Sequence, residues 1–418
     1  MNIELLNSID SFVWGPPLLV LLVGTGIFLT LRLGFLQVSR LPKALQLIFK
    51  AENAGEGDID SFKALCTALA ATVGMATKYA EGVLAVKYRT VDAKGQISGG
   101  PMYYIELGLG KKYKPLAIAF AFFGILVAYF GIGTFAQVNS IVDITQLNAG
   151  IPVAGTAAIL TIAVAAVTLG GLQSIAAAAS RIVPAMAILY MLSTIGILVM
   201  FHDLIPMAIG EIFRDAFTPT AAQGGFLGAT VLFAMRNGIA RGVFSNESGL
   251  GSAPIVAAAA KTDWPAEQGL ISMTGTFIDT IIICTMTGLT IVIGGLWTGD
   301  LNGAALTNAT FLKAYPQMGG YLLMVGLVLF AFTTILGWNY YGERCVEYLF
   351  GVKGIMPYRI IFIILIGLGA FLKLEAIWIL ADIVNGLMAI PNLIALLGLS
   401  GAVVAETKRY FAHLKETA

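Results

Sequence analysis

One polar run interrupts an otherwise apolar sequence at residues 233–255, FAMRNGIARGVFSNESGLGSAPI. A continuous helix facing lipid could not carry this many polar groups, because each of them loses its water in the hydrocarbon layer. A helix broken near residues 238–242 could, since free N–H groups at a break bind anions and free carbonyl groups bind cations. The run therefore predicts a binding segment that includes Asn237, Gly238 and Gly242. The alternative is a glycine-rich loop that leaves the membrane early.

Two hydroxyl groups and an indole form a second candidate cluster, in the segment FTTILGWNYY at 332–341. Thr334 and Trp338 are four residues apart and so share one face of a helix. Threonine oxygens suit a hard cation such as Na⁺, and the indole can wall a small apolar side chain. In the alternative interpretation, Thr333 and Thr334 bond back to their own helix and Trp338 belongs to an interfacial belt.

Three further kinds of polar side chain accompany apolar runs. Gln137 ends one run and either binds a substrate carboxylate or amine or caps its helix. Asp279 lies inside another, as a cation ligand, a proton relay or a partner in a helix–helix hydrogen bond. Ser245 and Ser248 lie near Glu247, but no suitable base accompanies them. The sequence also lacks the GxSxG, HExxH and Walker motifs, so an enzyme and an ATP-driven pump are both disfavoured.

The elements that must position these groups are transmembrane helices. Hydrophobic types make up 58% of the 418 residues and charged types 12%, with a mean hydropathy of +0.85. Soluble proteins contain roughly 25% charged residues, so the composition excludes a soluble globular protein as well as a disordered one. A net charge of +1 without a basic stripe disfavours nucleic-acid binding. The three cysteines are far apart and predict neither disulfides nor a zinc site.

Nine apolar runs reach the length of about 20 residues that crosses a bilayer, and together they predict one transmembrane domain over residues 1–418. They lie at 15–34, 115–137, 152–171, 182–201, 226–244, 268–297, 320–340, 357–372 and 385–404. An outside N-terminus and a cytoplasmic C-terminus place 20 of the 25 Lys and Arg residues in the cytoplasm, as the positive-inside rule requires. The run at 64–77 has only 14 residues and basic flanks, which predicts a truncated re-entrant segment. The stretch 41–50 predicts an amphipathic surface helix or a plain loop helix.

Four long stretches carry a family resemblance. They are DIDSFKALCTALAATVG at 58–74, FGIGTFAQVN at 130–139, NGIARGVFSNESGLGSAPIVAAAAKT at 237–262 and ILGWNYYGERCVEYLFG at 335–351. They closely resemble the alanine or glycine:cation symporter family, the sodium:alanine symporters, and the resemblance covers essentially the whole chain. It implies an all-α LeuT-type bundle of two inverted five-helix repeats after one extra helix. Na⁺ and a small amino acid would bind near the midplane.

The chain departs from this family at one point. Members continue after TALAATVG with a glycine-rich break, the outer half of that helix, a loop and the start of the next helix. Here Gly74 runs directly into Met75, so roughly 30 residues are missing. The lost break should grip the substrate carboxylate, whereas the remaining half-helix still offers carbonyl groups near 70–73 to Na⁺.

The residues and the resemblance together predict sodium-coupled symport of alanine or glycine across the inner membrane, with activity impaired by the missing segment. The expected substrate contacts are Gly74, Gln137, Asn237, Gly238, Gly242 and Trp338. The expected Na⁺ contacts are Ala70, Val73, Thr333 and Thr334. Two other interpretations stay open: a membrane-embedded binding or scaffold protein without turnover, and an intramembrane hydrolase that uses Ser245 or Ser248.

Overall fold

The computed structural model describes residues 3–49, 74–217, 242–243, 245–297, 299, 301, 303–372 and 374–417. The regular secondary structure of these residues is helical apart from one short antiparallel hairpin, in which β1 (Thr90–Val91) pairs with β2 (Ile97–Ser98). The all-α prediction is therefore confirmed for the described part. A helix satisfies its backbone N–H and C=O groups within one segment, which a chain in lipid must do.

The helices before the polar run are α1 (Ile3–Val13), α2 (Pro16–Arg32), α3 (Leu36–Ser39), α4 (Leu41–Phe49), α5 (Gly74–Lys87), α6 (Pro101–Tyr104), α7 (Lys114–Phe130), α8 (Phe135–Ala149), α9 (Val153–Thr168), α10 (Gly171–Met200) and α11 (Ile205–Phe217). The later helices are α12 (Ala253–Ala257), α13 (Pro265–Thr276), α14 (Thr285–Gly294), α15 (Gly303–Ala314), α16 (Gly319–Phe350), α17 (Ile355–Gly369), α18 (Leu374–Gly398) and α19 (Ser400–Glu416). A π-helical turn, Phe277–Cys284, joins α13 to α14.

Seven helical stretches of the described chain are long and apolar enough to cross a membrane. They are Ile3–Arg32, Lys111–Ala149, Gly171–Met200, Pro265–Gly294, Gly319–Phe350, Val352–Gly369 and Ile377–Gly398. Each overlaps one of the nine predicted spans. Of the other two, α9 is a shorter apolar helix of 16 residues, and the span at 226–244 lies almost wholly outside the described residues. The chain is thus a polytopic membrane protein.

The predicted span at 115–137 is interrupted rather than terminated. Helix α7 ends at Phe130, a turn follows, and α8 begins at Phe135. Gln137 therefore lies in the first turn of a second helix, inside the 39-residue stretch Lys111–Ala149. The predicted end of the span was wrong because α8 carries polar side chains that lower its hydropathy although the helix continues.

Helix α5 occupies the centre of the molecule, where it packs against α2, α12, α13 and α19. All of its residues from Met75 to Val86 are buried, and Lys78 is only 1% exposed. The predicted topology counts Lys78 in a cytoplasmic basic cluster, and the structure buries this side chain inside the protein. Residues 64–73 of the predicted re-entrant segment lie outside the described residues, and its last four residues, 74–77, are the regular start of α5. Helix α4 forms as predicted and packs against α13.

A buried ionic cluster joins the hairpin to α16 and α17. Arg344, also 1% exposed, donates to Glu343 over 2.7 Å and pairs with Glu347 and, at 3.5 Å, with Asp92 of the hairpin turn. Arg359 of α17 reaches Glu343 over 2.6 Å. Such charges are tolerated in the interior because each has a partner of opposite sign.

The turn between α7 and α8 passes so close to α16 that Gly133 has no room for a side chain. A Cβ atom there would lie 2.7 Å from the Trp338 Cβ and 2.9 Å from the Ala128 carbonyl oxygen. We expect Gly133→Ala to lower the free energy of unfolding by about 1–3 kcal/mol, the usual effect of overpacking. The measurement is thermal unfolding in detergent. The control is Gly288→Ala in α14, where a Cβ atom would meet nothing within 4 Å. Equal midpoints for the two variants would contradict the close approach.

Candidate functional site

The backbone leaves the helical path between Val243 and α12. The Glu247 N–H still donates to the Val243 carbonyl over 2.7 Å, but Glu247 then has a φ of 52°, and Gly249 and Gly251 have φ of 83° and 84°. Glycine adopts this left-handed conformation readily, whereas a glutamate does so only when its surroundings hold it. The predicted break at 238–242 lies mostly outside the described residues. A break at 247–251 is present, and we call residues 246–252 the broken segment.

The broken segment is buried. Asn246, Glu247 and Ser248 are 2%, 8% and 4% exposed. This part of the polar run is therefore not exposed to solvent. Backbone of this kind persists at membrane depth only where protein surrounds it or a cavity adjoins it.

A cavity of about 300 Å³ opens beside the broken segment. Its described walls come from α8, the turn before it, α10, the π-helical turn, α16 and the broken segment itself. Four predicted site residues line it: Gln137, Thr333, Thr334 and Trp338. The volume lies at the lower end of the range for small-molecule sites. These four residues, which the sequence marked as polar side chains in apolar runs, thus lie around one cavity.

The two threonine hydroxyls serve their own helix and the cavity at once. Thr333 donates to the Phe330 carbonyl over 2.9 Å and Thr334 to the same oxygen over 3.0 Å. The back-bonding alternative is therefore correct, yet both residues line the cavity. A hydroxyl that donates its proton keeps oxygen lone pairs for a cation. This donor set fits Na⁺, which prefers hard oxygen ligands.

Trp338 connects α16 to the broken segment. Its indole N–H donates to a carboxylate oxygen of Glu247 over 3.0 Å, and the Ser252 hydroxyl donates to the other oxygen over 2.8 Å. Because Trp338 is only 1% exposed, the interfacial-belt alternative is wrong. Glu247 lines the cavity but was absent from the predicted contacts. Its signal in the sequence was an acid at membrane depth, and nothing there pointed to its indole partner.

Asp279 lies in the π-helical turn and gives the cavity a second carboxylate. The hydroxyls of Ser245 and Thr280 donate to the same Asp279 oxygen over 2.9 and 3.1 Å. The predicted interhelical hydrogen bond is therefore present, and the residue also faces the site. Lys78 interacts electrostatically with both Glu247 and Asp279. Turns of π-helix are frequent at functional sites.

The other predicted contacts are not brought to the cavity wall by the described structure. Gly74 begins α5 and lies against Ser248, whose Oγ would be 2.1 Å from a Cβ at Gly74. Gly242 is half-buried close to Asn246. Neither glycine lines the cavity. The remaining four predicted contacts, Ala70, Val73, Asn237 and Gly238, lie outside the described residues.

Comparison with known proteins identifies the family. The model of the sodium:alanine symporter family matches residues 1–75 and 71–418. The chain belongs to this family. A sodium:alanine symporter family member is a transporter and not an enzyme, so the hydrolase interpretation is wrong. In the structure, Ser245 is bound to Asp279 and Ser248 faces Gly74.

Full-length relatives support the assignment. The chain is 54% identical to an uncharacterized transporter of Haemophilus influenzae, over 99% of this chain and 98% of the relative. It is 51% identical to the sodium/alanine symporter AgcS of Methanococcus maripaludis, over 98% and 97%. It is 34% identical to the probable sodium/glutamine symporter GlnT of Bacillus subtilis, over 97% and 90%.

The missing segment is also confirmed. The two matched parts of the chain meet at residues 71–75, where Gly74 precedes Met75. The alignment with the Haemophilus relative extends over 447 positions although this chain has only 418 residues, so the relative fills about 30 positions that this chain lacks. A family member without this segment keeps the described cavity.

The bond between Trp338 and Glu247 can be tested with a double-mutant cycle on unfolding in detergent. We expect Trp338→Phe to lower the free energy of unfolding by about 1–3 kcal/mol, because a buried carboxylate loses its donor. Trp338→Phe and Glu247→Gln together should show a coupling energy of about 0.5–3 kcal/mol. Trp297→Phe is the control, since Trp297 is 39% exposed. Strictly additive effects would contradict the bond.

Proposed function

We propose that this chain is a sodium-coupled symporter that carries alanine or glycine into the cell by alternating access. The observation that supports it most is the convergence of Gln137, Thr333, Thr334 and Trp338 on one cavity beside a broken segment. Interrupted helices that meet at membrane depth are how many secondary transporters bind a substrate and an ion together. The alternative, a binding or scaffold protein without turnover, is not favoured by the family.

The cavity suits a small zwitterion. Gln137 offers an amide that can bind a carboxylate or an ammonium group, and Glu247 adds a carboxylate for the ammonium. The indole of Trp338 packs edge-on against Tyr341, with ring centroids 5.2 Å apart, and walls off a short apolar side chain. The Methanococcus relative named for alanine is more similar to this chain than the Bacillus relative named for glutamine, which favours the smaller substrate.

Na⁺ would be the coupling ion, bound by Thr333 and Thr334 with the carbonyl groups of Ala70 and Val73. One Na⁺ that moves down about 100 mV gains roughly 2.3 kcal/mol, to which its concentration gradient adds. This free energy would drive uptake. Substrate contacts from Asn237, Gly238, Gly242 and Gly74 belong to the same proposal.

The proposed architecture is the LeuT-type bundle of two inverted repeats after one extra helix. The polar run 233–255 would begin the second repeat. The N-terminus would lie outside and the C-terminus in the cytoplasm of an inner-membrane protein. The distribution of Lys and Arg supports this orientation, although Lys78 and Arg344 are buried and do not contribute to it.

We also propose that the missing segment impairs transport. It would hold the first break, whose N–H groups grip the substrate carboxylate. Loss of a hydrogen bond to a charged group costs about 1.5–3 kcal/mol, which corresponds to roughly 10–100-fold in affinity.

The sodium site is tested by uptake of radiolabelled alanine into proteoliposomes with a sodium gradient. We expect Thr333→Ala and Thr334→Ala to raise the half-maximal Na⁺ concentration by about tenfold, since each removes one oxygen ligand worth roughly 1–2 kcal/mol. The matched control is Thr161→Ala, a half-buried threonine of α9 that bonds to its own helix over 2.7 Å. An unchanged Na⁺ dependence in both cavity variants would rule out these ligands.

The impairment is tested by restoration. The segment that the Methanococcus relative carries at this position is inserted between Gly74 and Met75, and alanine uptake and alanine binding are measured for both proteins. We expect the restored protein to bind alanine about 10–100-fold more tightly and to transport it faster. Equal rates would refute the impairment. Binding without flux in both proteins would favour the scaffold alternative.

A further inference from the structure

Four backbone groups of the broken segment bond to side chains of other helices instead of to a helical partner. In a continuous helix the Asn246 carbonyl would accept a hydrogen bond from the Leu250 N–H. Here the Leu250 N–H donates to the Glu247 carbonyl over 3.3 Å, so the Asn246 carbonyl loses its helical donor. The N–H groups of Gly249 and Gly251 and the carbonyl of Gly249 also lose their helical partners. Each such group is costly when it is buried without a hydrogen bond.

Side chains from two neighbouring helices satisfy all four groups. The Lys78 ammonium donates to the Asn246 carbonyl over 3.2 Å. One carboxylate oxygen of Glu81 accepts from the N–H groups of Gly249 and Gly251, both over 3.2 Å. The amide of Asn392 in α18 donates to the Gly249 carbonyl over 2.9 Å and to the same Glu81 oxygen over 2.6 Å.

The charges of this arrangement match the backbone groups that they meet. A carbonyl oxygen carries partial negative charge and an N–H group partial positive charge. The cation Lys78 meets the Asn246 carbonyl, and the anion Glu81 meets the N–H groups of Gly249 and Gly251. The two residues are three apart in α5, so one face of this helix presents both charges. Lys78 and Glu81 are 1% and 0% exposed.

We propose that Lys78 and Glu81 are positioning residues for transport, which hold the broken segment so that Ser245 and Glu247 face the cavity. This inference rests on the proposed function, because it assigns α5 a role in the same site. The segment is then preformed, and the substrate meets side chains rather than the backbone groups at 246, 249 and 251. If Lys78 and Glu81 acted only as an ion pair within α5, exchanging their charges would leave the broken segment and transport unchanged.

The first test is hydrogen–deuterium exchange of the full-length protein in detergent, read on peptides that cover residues 245–252. We expect Glu81→Leu to speed exchange at Gly249 and Gly251 by about 10–100-fold, because both amides lose a charged acceptor. Glu81→Gln keeps an acceptor oxygen and should have a smaller effect. The matched control is Glu106→Leu, which removes a carboxylate bound by Lys114 and Tyr348 away from the broken segment. Unchanged exchange in Glu81→Leu would overturn the proposal.

The second test exchanges the charges in the double variant Lys78→Glu, Glu81→Lys. We expect the double variant to exchange faster than the wild type at residues 245–252. Its half-saturating alanine concentration should also rise about 10–100-fold, as in the single variants. Restoration of both quantities would overturn the proposal, since only the ion pair would then matter. If Glu81→Leu does not fold, Lys78→Met and Glu81→Gln replace it in both measurements, and the same results support or overturn the proposal.

The two proposals fail in different ways. Absence of alanine binding and uptake in the wild type would refute the proposed function, while the exchange comparison still reports on the broken segment. Measurable alanine uptake in the wild type, together with unchanged exchange and alanine dependence in Glu81→Leu, would refute only the role of Lys78 and Glu81.

Discussion

A backbone N–H or carbonyl group inside a membrane has no water to bind, and this constraint governs the structure. In the broken segment at 246–252, four backbone groups bond to side chains of other helices instead of to the backbone of their own helix. Lys78, Glu81 and Asn392 supply the missing partners. The full burial of α5 follows from this requirement, because its charged residues must reach the segment from within the protein. Without such partners the segment could not leave the helical path and open a site beside it.

Two of the groups that line the cavity are carboxylates, which are costly to bury. Glu247 and Asp279 are buried carboxylates, and each is held by hydrogen bonds from an indole or hydroxyl. Lys78 interacts electrostatically with both carboxylates and compensates part of their negative charge. A cation entering the cavity would compensate more of it, which is consistent with a symporter that binds Na⁺ and an ammonium group together. The threonine hydroxyls that face the same space keep their protons engaged with the helix and their oxygens free for an ion.

The missing segment distinguishes this chain from the Haemophilus relative. About 30 positions that the Haemophilus relative fills are absent, and Gly74 begins α5 directly against Ser248. The contacts that hold the broken segment come from α5 and α18, which are both retained. The cavity beside the broken segment is therefore formed without the missing segment.

The sequence alone determined that the chain is a membrane protein, and it identified several polar residues of its site. Long apolar runs can only be membrane helices, and polar residues inside them, such as Gln137, Thr333 and Trp338, stand out because burial makes them costly. Only the tertiary structure decided that α8 continues past Gln137, that Trp338 holds Glu247, and that the Lys78 side chain is buried inside the protein. These facts depend on contacts between residues far apart in the chain, as the 168 residues between Lys78 and Asn246 illustrate. Hydropathy averages over neighbours in sequence, so it cannot report a hydrogen bond that forms only when two distant helices meet.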